Sequence, residues 1–239
     1  MGKRAIILAG GKGTRLRPYT VALPKPLVPV GDTPILEIVV RQLARHGFDH
    51  VTMAVNHQAE IIKAFFQDGS KWGLRIDYSL EDKPLSTMAP LKLVRDLPDH
   101  FLVMNGDILT DLDFAAFYDD HVERDSIFTI SSYMREELID YGVLDADTTG
   151  RLVGFQEKPT HAYQVSMGVY MVSRRVLDDI PEGIPFGFDH LMHRLIGLSR
   201  LPTIRLHKGY WLDIGRPDDY ARAVEEYERD GRRFLAERT

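Results

Sequence analysis

The chain has 239 residues, 44% hydrophobic and 27% charged, which is ordinary globular composition and enough length to bury a substantial core. Thirty Lys and Arg against 35 Asp and Glu leave a formal net charge of −5, which excludes a nucleic-acid binder relying on a basic surface but not a small anion held by a few cations. The absence of cysteine excludes disulfides, thiolate nucleophiles and Cys-ligated zinc, and fits a reducing, cytoplasmic setting.

Near the start, Lys3-Arg4 precede the apolar run Ala5–Ala9, which is too short for a secretory signal and ends in glycines. It predicts a strand buried on both faces. Asp32-Thr33-Pro34 predicts a helix start with Pro34 at the first helical position, Leu36, Val39, Val40 and Leu43 form its apolar face, and Gly47 ends it. Val51, Met53 and Val55 alternate as a second strand, His57–Phe66 reads as a helix, and Leu74, Ile76, Tyr78 and Leu80 mark a third strand. A helix around Pro90–Arg95 precedes a fourth strand, Phe101–Met104, running into Asn105-Gly106-Asp107. The alternation predicts a layered, Rossmann-like α/β domain with a mixed, mainly parallel sheet.

The second half is richer in strands: Ile127–Met134, Gly142–Leu144, Leu152–Phe155 and Val165–Val172. Short helices follow near Arg174–Ile180 and Asp189–Ile196, then a strand at Thr203–His207 and a closing helix from about Pro217. With no low-complexity linker and no repeat, the simplest reading is one domain over 1–239, with a small strand-rich extension. No apolar run reaches the roughly 20 residues of a membrane span, so a soluble protein without a membrane partner is expected.

After the first strand comes Gly10-Gly11-Lys12-Gly13-Thr14-Arg15. Glycines let the backbone turn sharply and bring N–H groups near an anion, while Lys12 and Arg15 add charge. The spacing is not that of a P-loop, and Leu16 stands where a dinucleotide fingerprint needs its third glycine. Taken alone, the fragment is equally readable as a structural turn. Farther on, Lys25 lies between Pro24 and Pro26, a stiff strip unsuited to an α-helix that would hold a lysine in place.

The whole stretch Leu8–Val30, LAGGKGTRLRPYTVALPKPLVPV, closely resembles the signature of the sugar-1-phosphate nucleotidylyltransferases, enzymes that make nucleotide sugars. The resemblance continues in order through Asn105-Gly106-Asp107, Tyr141-Gly142-Val143, Glu157-Lys158-Pro159, Met167-Gly168-Val169-Tyr170 and Trp211-Leu212-Asp213-Ile214-Gly215, and so covers nearly the whole chain. It implies a nucleotide-diphospho-sugar transferase fold that joins a nucleoside triphosphate to a sugar 1-phosphate and releases pyrophosphate. By the same resemblance Asp107 and Asp213 ligate Mg2+, and Arg15 and Lys25 hold the triphosphate. Leu8, Ala9, Gly10, Gly11, Lys12, Gly13, Thr14, Glu81, Ser86, Thr87 and Asn105 bind the nucleotide. Gly142, Glu157, Lys158 and Ser166 bind the sugar phosphate, which divides the chain into a mainly nucleotide-binding part (1–110) and a mainly sugar-phosphate-binding part (111–239). The attacking phosphate oxygen is already ionised, so no general base is needed.

An ionised Glu81 accepts but cannot donate, which suits the N1–H and N2–H donors of guanine. GTP with a hexose or heptose 1-phosphate is therefore the favoured pair, with UTP, dTTP or CTP, or a non-catalytic sensor of nucleotide sugars, as alternatives. Leu85-Ser86-Thr87-Met88-Ala89-Pro90 replaces the family's leucine-glycine-threonine-alanine-glycine segment, and Arg216 stands where threonine is common. Both Ser86 and Met88 are bulkier than the residues they replace, so an altered base pocket is expected. His190 and His193 sit three apart on a predicted helix without a companion carboxylate motif, and are read as surface residues. A homo-oligomer is common in the family.

Overall fold

A computed structural model describes residues 2–11, 13–56, 58–215 and 217–235. In chain order the elements are strands β1 (Lys3–Leu8), β2 (Pro29–Val30) and β3 (Thr33–Pro34), helix α1 (Ile35–Arg45), β4 (Phe48–Val55), α2 (Ala59–Phe66), β5 (Arg75–Leu80), β6 (His100–Asn105), β7 (Ile108–Thr110) and α3 (Phe114–Glu123). They continue with β8 (Phe128–Leu138), β9 (Gly142–Ala146), β10 (Leu152–Glu157), β11 (Thr160–Ser173), α4 (Phe188–Gly197), β12 (Thr203–Leu206), β13 (Trp211–Asp213), α5 (Pro217–Asp230) and α6 (Arg232–Leu235).

Seven strands form the central sheet in the order β12-β8-β11-β6-β1-β4-β5. All pairings are parallel except those of β11, which runs against β6 and β8. The sheet is buried on both faces, as the continuous apolar run of β1 predicts. Ala5 and Ile7 pack with Val39, Val40, Ile62 and Phe117, from α1, α2 and α3, on one side. Ile6 points the other way, into a cluster with Phe101, Val103, Leu191 and Leu195. A third cluster, with Val30, Ile38, Leu109, Leu212 and Phe234, seals β7 and β13 beneath α1, α5 and α6. No helix among the described residues is long and apolar enough to cross a membrane.

Several elements differ from expectation. Pro34 precedes α1 instead of starting it, because Thr33 and Pro34 pair antiparallel with Val30 and Pro29. Gly47 does close α1, at φ +79. Helix α2 begins at Ala59; His57, expected to start it, lies outside the described residues. The helix expected at Pro90–Arg95 is a short 3-10 turn, Ala89–Leu93. The N–H groups of Met88 and Ala89 before it both donate to Phe186 O, at 3.0 Å, which anchors the segment to a neighbouring loop. Helix α3 was not anticipated, although Asp113 caps it by accepting from Ala116 N at 2.9 Å and Phe114, Phe117 and His121 supply its buried face. In the strand-rich half, β8 and β11 join the main sheet. The β9–β10 hairpin forms a separate two-stranded sheet, as do the pairs β7–β13 and β2–β3.

Candidate functional site

A cavity of about 590 Å³ opens at the carboxyl ends of β1, β4, β5 and β6, the edge of a parallel sheet where ligands bind. It gathers Leu8, Ala9, Gly10, Gly11, Gly13, Thr14, Arg15, Lys25, Glu81, Ser86, Thr87, Asn105 and Asp107 from separate parts of the chain. Lys12 lies outside the described residues. A second cavity, about 710 Å³, sits around Arg4, Arg75 and Arg174. Those arginines are ion-paired with Asp77 (Arg4 and Arg75) and Asp99 (Arg174).

The glycine-rich turn is folded tightly onto its surroundings. Ala9 N donates to Ala54 O at 2.8 Å, carrying the chain past the end of β1. Gly13 has φ +60, and a Cβ there would stand 2.9 Å from Thr20 Cγ2 and 3.0 Å from Lys25 Cβ; glycine is required on both counts. Lys25 and its prolines form one 3-10 turn, Lys25–Leu27, in which Leu27 N donates to Pro24 O at 2.8 Å. This is compatible with the expected stiffness, because Pro26 sits in a first turn where its missing N–H is not needed.

Asp107 follows β6 and Asp213 ends β13, and the β7–β13 pairing explains why they meet. Asp213 lies opposite Ile108, and Ile214 N donates to Asp107 O at 3.2 Å. The Lys25 ammonium pairs with the Asp107 carboxylate and lies 3.8 Å from Asp213 Oδ1. Asp213 Oδ1 also accepts from Gly215 N at 2.8 Å. Burial pushes the Asp107 carboxyl above the usual carboxylate range; Lys25 opposes the shift and Asp213 adds to it. Arg15 stands on the same side, its Nη2 3.3 Å from where a Gly215 Cβ would be.

These two carboxylates fit a hard divalent cation. Oxygen donors suit Mg2+, which takes one or two carboxylates together with phosphate oxygens and waters. A positive charge already lies between them, and the burial and like charge that raise Asp107 are what a cation would relieve. No cluster of three or more metal-binding side chains occurs among the described residues.

On the other flank Glu81 is buried, its Oε2 accepting from Leu85 N at 3.0 Å. Burial raises its carboxyl, and the Leu85 N–H opposes that. Ser86 adopts φ +68, a left-handed conformation that favours glycine, which is where the resembling family has glycine. Thr87 Oγ1 accepts from Phe188 N at 2.9 Å and so caps the start of α4. Met88 is fully buried among Leu85, Ala89 and Leu91, away from the cavity lining. The expected effect of Met88 on the base pocket is therefore corrected: its bulk fills the core, and of the two bulkier residues it is Ser86 that lines the cavity.

Gly142, Glu157, Lys158 and Ser166 are not among the cavity-lining residues. Gly142 and Glu157 lie opposite each other in the β9–β10 hairpin. A Cβ on Gly142 would fall 2.7 Å from the Phe155 ring and 3.4 Å from Glu157 Oε2. Lys158 is exposed, has φ +44 and pairs with Asp140 at 2.7 Å. Ser166 Oγ donates to Tyr170 OH at 3.1 Å and accepts from Gly168 N at 3.3 Å. That serine braces the bulge in β11 where Gly168, at φ +74, passes Asn105. His190 Nδ1 accepts from Gly187 N at 3.2 Å, a local bond at the start of α4.

Asn56, just past β4, also lines the cavity and was not anticipated. Its only signal in the sequence is its place, a polar residue after an apolar strand.

A sequence model described as nucleotidyl transferase matches residues 4–230. Among curated relatives, a UTP–glucose-1-phosphate uridylyltransferase of Synechocystis is 34% identical over 241 residues, covering 92% of this chain and 62% of its own length. A mannose-1-phosphate guanylyltransferase of Mycobacterium tuberculosis is 32% identical over 226 residues, covering 91% and 62%. The chain thus spans somewhat less than two thirds of the relatives it matches. Among solved structures, HddC from Yersinia pseudotuberculosis superposes with a TM-score of 0.71 at 26% identity, covering 95% of this chain and 100% of that one. It has also been solved in complex with GMP-PN.

Proposed function

The chain belongs to the nucleotidyl transferase family, and from that premise we propose that it transfers a nucleoside monophosphate from a nucleoside triphosphate to a sugar 1-phosphate, releasing pyrophosphate. The observation that carries this reading is the Lys25 ammonium set against Asp107 and Asp213, below a glycine-rich turn and beside Arg15. An α-phosphate placed there meets cations on one side and a metal-compatible carboxylate pair on the other.

In this reading the backbone from Leu8 to Thr14, with Lys12, cradles the nucleotide, and Arg15 and Lys25 hold the triphosphate. Asp107 and Asp213 hold Mg2+, which supplies charge neutralisation when bound. Asn105 and Thr87 fix the nucleotide side, while Glu81 and Ser86 lie at the base. Glu157 and Lys158 face the sugar phosphate, Gly142 lets it approach the backbone, and Ser166 keeps the neighbouring bulge in shape. The attacking oxygen belongs to a phosphate that is ionised at neutral pH, so the chain's work is to align two mutually repelling anions and balance the charge that develops. On this reading a nucleophile–histidine pair is not required, and none lines the cavity among the described residues.

GTP with a hexose or heptose 1-phosphate is the leading pair, supported by the guanylyltransferase relatives and by the acceptor character of Glu81. A uridylyltransferase at 34% identity supports UTP as the second reading. The test is pyrophosphate release, with magnesium, across a matrix of triphosphates and sugar 1-phosphates. Turnover with at least one sugar phosphate is expected. Silence across the panel, with tight binding of a nucleotide sugar, would replace the enzyme by a sensor.

A further inference from the structure

Helix α5 carries Tyr220, Ala223 and Tyr227 at helical spacing, so that all three share a face. That face and α6 pack on the third hydrophobic cluster, beside Val30, Leu109, Leu212 and buried Phe234. Together they touch both arms of the cation–carboxylate site. On the arm that follows the Lys25 turn, Val28 N donates to Lys25 O at 3.1 Å, and the O of the next residue, Pro29, accepts from Tyr220 OH at 2.8 Å. Tyr227 OH donates to Thr33 Oγ1 at 3.3 Å. Gly31, at φ +64, lets that ring approach, since a Cβ there would stand 2.8 Å from Tyr227 Cδ1. On the other arm, at the end of the β7–β13 ladder opposite Asp107 and Asp213, Asp111 Oδ2 accepts from Arg233 Nε at 2.7 Å. Asp111 Oδ1 accepts from Tyr210 N at 2.6 Å and lies 2.8 Å from His207 Nε2. Burial raises the Asp111 carboxyl, but His207, Tyr210 N and Arg233 outweigh it and bring it down to about 2, so Arg233 meets a full negative charge. The Arg233 guanidinium also lies over the Tyr210 ring at 5.3 Å, and Phe234 stands edge-on to that ring.

We propose that α5 and α6 act as a clamp that sets the Lys25 turn against the β7–β13 ladder, with Tyr220 and Arg233 as positioning residues for Lys25, Asp107 and Asp213. The inference rests on the transferase reading of the cavity and goes beyond it, since neither positioning residue lines that cavity. Both arms lie outside the seven-stranded sheet, as the separate pairs β2–β3 and β7–β13. Strands of two or three residues form too little ladder to fix their own position, so their spacing depends on what packs behind them. Helix α1 supports the ladder from one side, Gln42 Nε2 donating to Thr110 O at 2.8 Å. The clamp supplies the other side, and ties the ladder to the strip that carries Lys25. Metal and phosphate geometry tolerates little displacement. Losing a group that orients a metal ligand costs about 10- to 100-fold in affinity or activity, and a misplacement of about 1 Å can cost about 100-fold in rate. A change at the C-terminal helices is therefore felt at the carboxylates without any contact to substrate.

The test is Mn2+ binding to the intact chain, read by electron paramagnetic resonance, with a non-hydrolysable analogue of the triphosphate that turns over. Steady-state kinetics and melting are measured on the same samples. Arg233→Ala should weaken Mn2+ about 10-fold and lower kcat by a similar factor, with KM for the sugar phosphate unchanged. Arg233→Lys, which keeps the charge, should recover most of the affinity. Tyr220→Phe, which removes only the bond to Pro29 O, should weaken Mn2+ and raise KM for the triphosphate, each about 3-fold, the scale of one hydrogen bond. It keeps the comparison alive if Arg233→Ala does not fold. Arg200→Ala, which breaks the pair with Asp179 away from the clamp, should lower melting without moving Mn2+ affinity. Unchanged Mn2+ affinity in Arg233→Ala and Tyr220→Phe, or an equal loss in Arg200→Ala, overturns the clamp and leaves the transferase reading intact. Absence of turnover with every triphosphate in the unsubstituted chain overturns both.

Discussion

The cavity and the β9–β10 hairpin, which leaves the carboxyl end of β8 beside it, are built in opposite ways. Around the cavity several residues are fixed by their neighbours: Asp107 by Lys25 and the β7–β13 pair, Thr87 by the start of α4, Gly13 by Thr20 and Lys25. The hairpin is a separate sheet whose Leu144, Val153 and Phe155 are exposed, and the Lys158 ammonium pairs with an exposed Asp140. The contrast teaches that the cavity is built from residues fixed by their packing, which is what the proposed triphosphate site would require. The hairpin has fewer such ties, which would suit the proposed acceptor side.

The contrast breaks if damage on the two sides has the same signature. Asp107→Asn is expected to cost at least about 1,000-fold in turnover while melting changes little, because it removes one of two like charges near each other. Steady-state rates and a melting curve on the same sample check this, and retained turnover would remove Asp107 from the metal site. Away from both regions, fully buried His121 is held near pKa 4 by desolvation, with His100 and Arg175 adding to the shift. Because its folded value lies below the ordinary 6.5, the unfolded chain takes up the proton first as pH falls. Stability should therefore drop between about pH 6.5 and 4, by up to about 3 kcal/mol from this group, and level off below. Denaturant unfolding across that range, with His121→Asn flattening the slope, measures it.

Smaller effects sharpen the comparison. Lys158→Ala should raise KM for the sugar phosphate by about 10- to 100-fold, leave KM for the triphosphate alone, and shift stability by less than about 0.5 kcal/mol, since its ion pair is exposed. An equal rise in both KM values would mean that the hairpin is not a separate acceptor module. Ser86→Gly should stabilise by about 1 kcal/mol or less by relieving the left-handed conformation, visible as a small rise in Tm.

Much of the fold was legible because its signals are local. The apolar run of β1, the Leu36–Leu43 stripe of α1 and the glycines after Leu8 each act within a few residues. The convergence of Asp107 with Asp213 was not, because two three-residue strands about a hundred residues apart create it, and no periodicity marks a strand that short. Asn56 escaped for a related reason: its place in the cavity lining comes from the register that sets the end of β4 beside that of β5. The side to which Met88 points was hidden too, since a turn of the backbone at Ser86 decides it.

The reversed strand β11 has a consequence for how such a chain can diversify. Its first residues pair with the projecting end of β8, and its last with β6 at the heart of the sheet. A single insertion or deletion within it would turn every following side chain to the opposite face, displacing Gly168 from Asn105 and Ser166 from Tyr170. The Asp147–Gly150 turn at the tip of the hairpin has no such constraint, being exposed and closed by its own bonds from Thr149 N and Gly150 N. Growth and loss of sequence between neighbouring lineages should collect at that tip, leaving the strand behind it as a fixed ruler between the cavity and the hairpin.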